Sequence, residues 1–307
     1  MLLDINIESL HGELRKQEPM SRHTSWKTGG NADYYYIASD VKDLVQFVSK
    51  LPDSIPITWV GLGSNLLVRD GGISGVVIST SNLFNELKKI SETDIFIGAG
   101  VSCAKAAKFS ARSGLAGIEF LAGIPGTIGG ALAMNAGAYG GEIWSYVKEV
   151  ETINRKGICK TSEKDKFDIS YRSVSKAEDE WFTACKMELK VSASSIVNEQ
   201  IKKMLRERAD KQPLGKLSCG SVFRNPPNQY AAKLIDQCGL KGKRVGGAIV
   251  SEKHSNFIIN TGNATSLNIE QLIKFVQESV FKKYAIKLIP EVRIIGESEK
   301  EVDDAIA

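Results

Sequence analysis

Apolar and polar positions follow two patterns along the chain. In the first half, short β-branched runs recur between Gly, Asp and Ser: Ile57-Thr58-Trp59-Val60, Gly75-Val76-Val77-Ile78, Ile95-Phe96-Ile97-Gly98 and Val147 to Ile153. Runs of this length bounded by turn formers predict strands. Helical stretches lie between them at Val41 to Leu51 and Cys103 to Gly114, the latter stopping at a glycine suited to the position just past a helix end. Beyond Val191, Ser194 to Lys211 is polar and amphipathic, and Ala231 to Cys238 is a short helix ended by Gly239. Asn268 to Tyr284 sets Ile269, Leu272, Ile273, Val276 and Val280 on one face at helical spacing. Ala248-Ile249-Val250, Phe257-Ile258-Ile259 and Leu288 to Ile295 read as strands. The pattern predicts two regions of mixed α and β with a boundary near residues 192–196, and 307 residues suit about two domains.

Composition narrows the function classes. Forty Lys and Arg against 36 Asp and Glu leave +4, with no concentration of basic residues of the kind a nucleic-acid surface needs. The five cysteines are widely spaced with no C-x-x-C pair, which argues against a disulfide scaffold or zinc ribbon and suits a reducing cytoplasm. The start, Met1-Leu2-Leu3-Asp4-Ile5-Asn6, forms no apolar core of a signal peptide. Phe120 to Gly141 holds 22 residues without a charge, long enough to span a bilayer, yet seven are Gly and Pro125, Asn135 and Tyr139 interrupt it. It reads as a buried, Gly-rich loop system, and no membrane insertion is expected. His11, His23 and His254 are far apart and form no H-E-x-x-H, so no catalytic metal is expected.

Glycine placement supplies the candidate chemistry. Gly61-Leu62-Gly63-Ser64-Asn65-Leu66 follows a strand, and alternate glycines let backbone N–H groups converge on an anion. A dinucleotide fingerprint fails there, because its third glycine position is Leu66 and the following residues look like strand rather than helix. A plain Gly-rich hairpin turn remains the alternative for this segment alone. The second loop runs from Gly123-Ile124-Pro125-Gly126-Thr127-Ile128-Gly129-Gly130 to Asn135-Ala136-Gly137-Ala138-Tyr139. Its glycine density exceeds what tight helix–sheet packing needs, and Thr127 and Asn135 can add polar contacts. Together the loops point to a diphosphate-bearing cofactor held without a Rossmann unit.

Six motifs in order resemble a known family: His23-Thr24-Ser25-Trp26-Lys27-Thr28-Gly29-Gly30, Gly61-Leu62-Gly63-Ser64-Asn65, Gly123 to Gly130, Ile169-Ser170-Tyr171-Arg172-Ser173, Cys219-Gly220-Ser221-Val222-Phe223-Arg224-Asn225-Pro226 and Pro290-Glu291-Val292-Arg293. The resemblance is to the UDP-N-acetylenolpyruvoylglucosamine reductases, the MurB family, from about residue 20 to 296, and to the shorter of its two subclasses. It implies an α+β fold with a vanillyl-alcohol-oxidase-type FAD-binding region over 1–193, in two subdomains split near 80. A C-terminal α+β substrate-binding domain over 194–307 follows, with a last strand near 288–296 carrying a catalytic Glu. It also implies non-covalent FAD, NADPH as co-substrate, and reduction of UDP-N-acetylglucosamine enolpyruvate to UDP-N-acetylmuramate in the cytoplasm, with no obligate protein partner. The glycine loops contain no His or Cys to attach a flavin, which agrees with dissociable FAD.

The resemblance assigns roles residue by residue. Arg172, Ser221 and Glu291 are the catalytic set. A guanidinium meets a carboxylate bidentately, and a raised-pKa Glu can hydrogen-bond a developing enolate; Ser221 as proton donor rests on the resemblance, since a serine alone is a poor acid. FAD contacts fall to Gly61, Gly63, Ser64, Asn65, Leu66, Gly123, Pro125, Gly126, Thr127, Gly129, Gly130, Asn135, Gly137, Ala138 and Tyr139. Substrate contacts fall to Tyr171, Lys211, Asn225, Lys241 and His254, the last standing where the longer subclass has glutamine. The alternatives are another FAD oxidoreductase of the same fold, or a UDP-sugar-binding protein that has lost activity.

Overall fold

A computed structural model of the chain describes residues 10–299, so the charged start at Met1 to Asn6 lies outside the described residues. The chain divides into two compact units. One gathers Tyr36–Leu62 and Ile78–Asp210 with the chain up to Leu14; the other gathers Arg15–Tyr35, Gly63–Val77 and the chain from Lys211.

The first unit is built on a five-stranded antiparallel sheet. Its strand order is Cys159–Glu163, Val147–Asn154, Glu180–Glu188, Asp94–Gly98 and Leu87–Lys89. Helices α1 (Val41–Lys50), α2 (Cys103–Arg112), α3 (Ile128–Ala133) and α4 (Ser194–Lys211) belong to it, save that Lys211 itself opens the second unit. Helix α2 starts where Ser102 accepts the Lys105 N–H and buries Cys103, Ala106, Ala107 and Ala111. That row of small side chains lets helix and sheet approach closely. Val197 and Ile201 of α4 join the same core, beside Ile95, Ile97, Val150 and Met187. Each fully buried large aliphatic contributes about 1.5–3 kcal/mol.

The second unit holds an antiparallel three-stranded sheet, Arg244–Val245, Ala248–Val250 and Ile258–Asn260, with α5 (Ala231–Gln237) and α6 (Ser266–Tyr284). The five apolar positions picked out by spacing on α6 are all buried. Asp70 fixes that helix, its carboxylate accepting the N–H groups of Ser266 at 2.9 Å and Leu267 at 2.7 Å. Trp26 is buried, donating its indole N–H to the Ile258 carbonyl at 2.8 Å, while Asn260 donates back to the Trp26 carbonyl at 2.8 Å. Strand Leu66–Val68 pairs in parallel with Arg293–Ile295.

Two stretches differ from the periodicity. Within the charge-free segment, Thr127 caps a helical turn, so α3 and the 3-10 turn Glu119–Gly123 stand where a loop system is expected. At the far end only Arg293–Ile295 is strand. Pro290 has no N–H for a ladder, and its neighbours bond elsewhere: the Ile289 carbonyl accepts Arg224 N–H at 2.9 Å and Glu291 N–H goes to the Val222 carbonyl at 2.7 Å. No helix among the described residues is long and apolar enough to cross a membrane.

Candidate active site

In the first unit Gly61, at the start of the first glycine loop, meets Thr127 of the second. A Cβ on Gly61 would lie 2.6 Å from Thr127 Oγ1, so the Thr127 side chain packs directly on the Gly61 backbone, and Ser81 Oγ donates to the Gly61 carbonyl at 3.3 Å. Thr127 is buried, pairs with Ser102 in a β-bridge, and accepts the Gly130 N–H at 3.4 Å. The N–H groups of Ile128 and Gly129 donate to the carbonyls of Val101 and Ala99, both at 2.9 Å. Gly129 therefore supplies close approach to Ala99, and neither Gly129 nor Gly130 offers a spare donor.

Gly123 and Gly130 supply the test of fit for a flat cofactor. A Cβ would meet nothing closer than 3.4 Å at the first and 3.7 Å at the second. Neither stands at a positive φ. A helical glycine costs about 1 kcal/mol relative to alanine, so Gly130 in α3 is explained neither by protein neighbours nor by conformation. Open glycines flanking Pro125, Gly126 and Thr127 form a cradle that a side chain would fill, and that suits FAD.

Next to this cradle three residues other than glycine hold positive φ: Asn135 at 44°, Tyr139 at 54° and Arg172 at 56°. Such conformations cost on the order of 1–3 kcal/mol each and cluster at functional sites. Asn135 is buried, and its amide nitrogen donates to Glu142 Oε2 at 2.9 Å and the Ser170 carbonyl at 3.0 Å. Its amide oxygen accepts the Trp144 N–H at 3.4 Å. Asn135 thus joins the loop to the Tyr171-Arg172 turn. Arg172 reaches back, donating to the Gly137 carbonyl at 2.5 Å and the Asn135 carbonyl at 3.3 Å, with its guanidinium 5.1 Å from the Tyr171 ring centroid. Ala138 pairs with Gly141 across a tight two-stranded turn, and exposed Tyr139 donates to the Met204 carbonyl of α4 at 2.6 Å. Arg172 therefore stands among Asn135, Gly137 and Tyr171, all in one unit.

The second unit assembles the other catalytic candidates. Ser221 follows Gly220, which sits at φ 77° with open space around it. On its other side Val222 N–H donates to the Asn256 carbonyl at 2.9 Å, and the Asn256 side chain brackets Phe223, accepting its N–H at 3.0 Å and donating to its carbonyl at 2.9 Å. The Val222 carbonyl receives Glu291 N–H, and Phe223 bridges Pro290. The chain segments carrying Ser221 and Glu291 thus lie side by side. Gly63, Ser64, Asn65 and Leu66 belong to the same unit. Gly63 lies under His23, whose carbonyl would come 1.9 Å from an added Cβ. Asn65 donates its side-chain N–H to the Glu291 carbonyl at 3.0 Å, and Cys219 Sγ reaches the Leu66 carbonyl at 3.4 Å.

The substrate candidates are more dispersed. Asn225 accepts the Ala231 N–H at 3.1 Å, starting α5. Lys211 is exposed, and Lys241 pairs with Asp236 at 3.1 Å. His254 is half-buried with its ring edge-on to Phe257 at 4.8 Å. Burial holds its pKa below the ordinary value, and the charge of Lys241 adds to that. Asn256, which the resemblance sets only in a substrate-lining segment with His254, holds the Ser221 segment in place. A lone buried asparagine carries no local signal, and only the fold shows that it shapes the Ser221 segment.

Comparisons with known proteins now apply. Residues 212–295 match the family described as UDP-N-acetylenolpyruvoylglucosamine reductase, C-terminal domain, and residues 32–162 match the FAD binding domain family. The UDP-N-acetylenolpyruvoylglucosamine reductase of Nitrosococcus oceani is 49% identical over 293 residues, covering 95% of this chain and 98% of that protein. This chain belongs to the MurB family. The reductase of Legionella pneumophila is likewise 49% identical over 294 residues, covering 95% of this chain and 96% of its own. The crystal structure of the Thermus caldophilus MurB superposes with a TM-score of 0.79 at 30% identity, over 93% of this chain and 99% of that one. As a MurB protein the chain is a FAD-dependent oxidoreductase, with the flavin-binding region and C-terminal domain that its motifs imply.

Proposed function

We propose that this MurB protein uses NADPH to reduce UDP-N-acetylglucosamine enolpyruvate to UDP-N-acetylmuramate, a cytoplasmic step of peptidoglycan synthesis that serves cell shape and division. The observation that carries the reading is the seam between the Val222 carbonyl and Glu291 N–H at 2.7 Å, which sets Ser221 and Glu291 on adjoining segments. The reading places the flavin region in residues 1–193 and the substrate region in 194–307.

When bound and reduced by NADPH, the flavin would supply the hydride for the terminal carbon of the enolpyruvyl group. Backbone at Gly61, Gly63, Ser64, Asn65 and Leu66 and the cradle from Gly123 to Tyr139 would hold it. Negative charge then builds on the carboxylate-conjugated centre. Arg172 binds that carboxylate, its own direction set by the carbonyls of Asn135 and Gly137. Glu291 assists at the developing enolate, by hydrogen bonding to it or by orienting a neighbouring group. Ser221 delivers the proton to that same carboxylate-bearing carbon, which completes the reduction of the double bond. Tyr171, Lys211, Asn225, Lys241 and His254 bind the rest of the UDP-sugar, the lysines meeting its diphosphate or carboxylate.

The test is a visible spectrum of the holoenzyme under anaerobic conditions. NADPH bleaches the flavin absorbance, and the enolpyruvyl UDP-sugar restores it. Ser221→Ala keeps its flavin and still bleaches, while recovery slows by about 100-fold or more. Loss of bleaching in that variant removes Ser221 from the second half-reaction; a colourless protein that FAD cannot reconstitute removes the whole reading.

A further inference from the structure

The geometry points to a task for the side chain of Asn65 that is separate from cofactor contact: it is a positioning residue for Glu291. This rests on the reading that Glu291 acts in the reduction of substrate.

Asn65 stands in a glycine loop whose backbone serves an anion, yet its side chain turns away toward the end of the chain. Its Nδ2–H donates to the Glu291 carbonyl at 3.0 Å, and its own carbonyl accepts the Arg293 N–H at 3.0 Å. Residue 65 therefore grips the segment on both sides of Val292. The other backbone group of Glu291, its N–H, is held by the Val222 carbonyl at 2.7 Å. Pro290 fixes its own φ immediately before, and it bridges Phe223. Both peptide planes of Glu291 are thereby pinned, one by the Ser221 segment and the other by the flavin loop.

That double attachment has a catalytic consequence. Glu291 lies outside the strand, which begins only at Arg293, so no ladder sets its direction. The Asn65 amide replaces the missing ladder bond. Without it the peptide between Glu291 and Val292 keeps the longer bond from Val292 N–H to the Val222 carbonyl at 3.4 Å and loses the 3.0 Å one, so it tilts more freely and the carboxyl moves with it. A misplacement of about 1 Å at a reacting centre costs up to ~100-fold in rate. Because Asn65 acts through Glu291, its loss affects the step that uses Glu291 and spares the step that does not.

The experiment uses full-length holoenzyme carrying Asn65→Ala, the isosteric Asn65→Asp, Glu291→Gln, and Asn65→Ala with Glu291→Gln. Flavin content, the rate of bleaching by NADPH and the rate of recovery with substrate are measured for each. Both Asn65 variants keep their flavin and bleach within about 2-fold of the parent, while recovery slows about 10- to 100-fold. The double variant recovers no more slowly than Glu291→Gln alone, since the two act as one unit. Loss of flavin or of bleaching in both Asn65 variants makes the side chain a cofactor contact and overturns the inference. So does an additive double variant. If Glu291→Gln itself recovers at the parent rate, it is the catalytic reading of Glu291 that falls.

Discussion

From Phe120 to Gly141 the first unit draws its glycine cradle out of 22 consecutive residues that carry no charge. The second unit holds Ser221 and Glu291 with Asn65, which is 226 positions from Glu291, and secures the strand beside them with an ion pair between Arg69 and Glu270 at 3.0 Å. The cradle depends on what is missing, side chains that would occupy the space. The second assembly depends on specific donors and acceptors brought from afar. The two therefore break in different ways: the cradle is damaged by adding atoms, and the assembly by removing a single hydrogen-bonding group or charge.

Adding one methyl group to the cradle has the largest expected effect. A Cβ on Gly137 would stand 2.2 Å from the Gly141 carbonyl and 3.0 Å from Arg172 Nη1, hitting the tight turn and the arginine at once. Gly137→Ala costs about 3 kcal/mol or more, loses flavin during purification, and turns over far below the parent. The readouts are the flavin-to-protein absorbance ratio and the urea midpoint. Full flavin occupancy with a parental midpoint would erase the contrast, because the cradle would then tolerate atoms.

Removing a donor pair from the second unit ranks next. Asn256→Ala leaves the buried Phe223 N–H and carbonyl without their partners and costs about 2–4 kcal/mol. Flavin content stays at the parent level, and recovery with substrate slows together with the loss of order at Ser221. Equal losses of flavin and of recovery would show that the two regions fail as one.

The contrast also explains what was legible beforehand. The cradle is contiguous, so the glycine spacing from Gly123 to Gly137 stands out within one stretch, and the helices α1, α2 and α6 follow from periodicity, with Gly114 marking the end of α2. The reading missed α3, because glycines at 129 and 130 mask the helical turn that the Thr127 cap starts. It overextended the last strand, because Leu288 to Ile295 is apolar enough for a ladder while Pro290 and the Val222 carbonyl draw the chain away. Ser221 and Glu291 stood out only through whole-chain resemblance. No local rule links residue 65 to 291 or residue 223 to 256, since those bonds exist only after the chain has folded.

Charge gives the smallest and most selective test. Hydrogen bonding from Arg69 holds the Glu270 carboxyl below its ordinary 4.5, against burial, which raises it; the charges of Arg69 and Lys274 add to the lowering. Its folded pKa lies below the unfolded one, so the unfolded chain takes up the proton first as acid is added. The stabilisation is thus complete above about pH 4.5 and is lost as pH falls through the folded value. Glu270→Gln should lower the urea midpoint at pH 7 by the equivalent of about 1 kcal/mol, and the difference from the parent should shrink as pH falls below about 4.5 and vanish once the folded carboxyl is protonated. Because Arg69 directly follows strand Leu66–Val68, the variant also slows recovery with substrate slightly at pH 7 and leaves flavin content unchanged. A midpoint difference that persists in acid would mean that Glu270 works through packing rather than charge, and the ionic side of the comparison would fall with it.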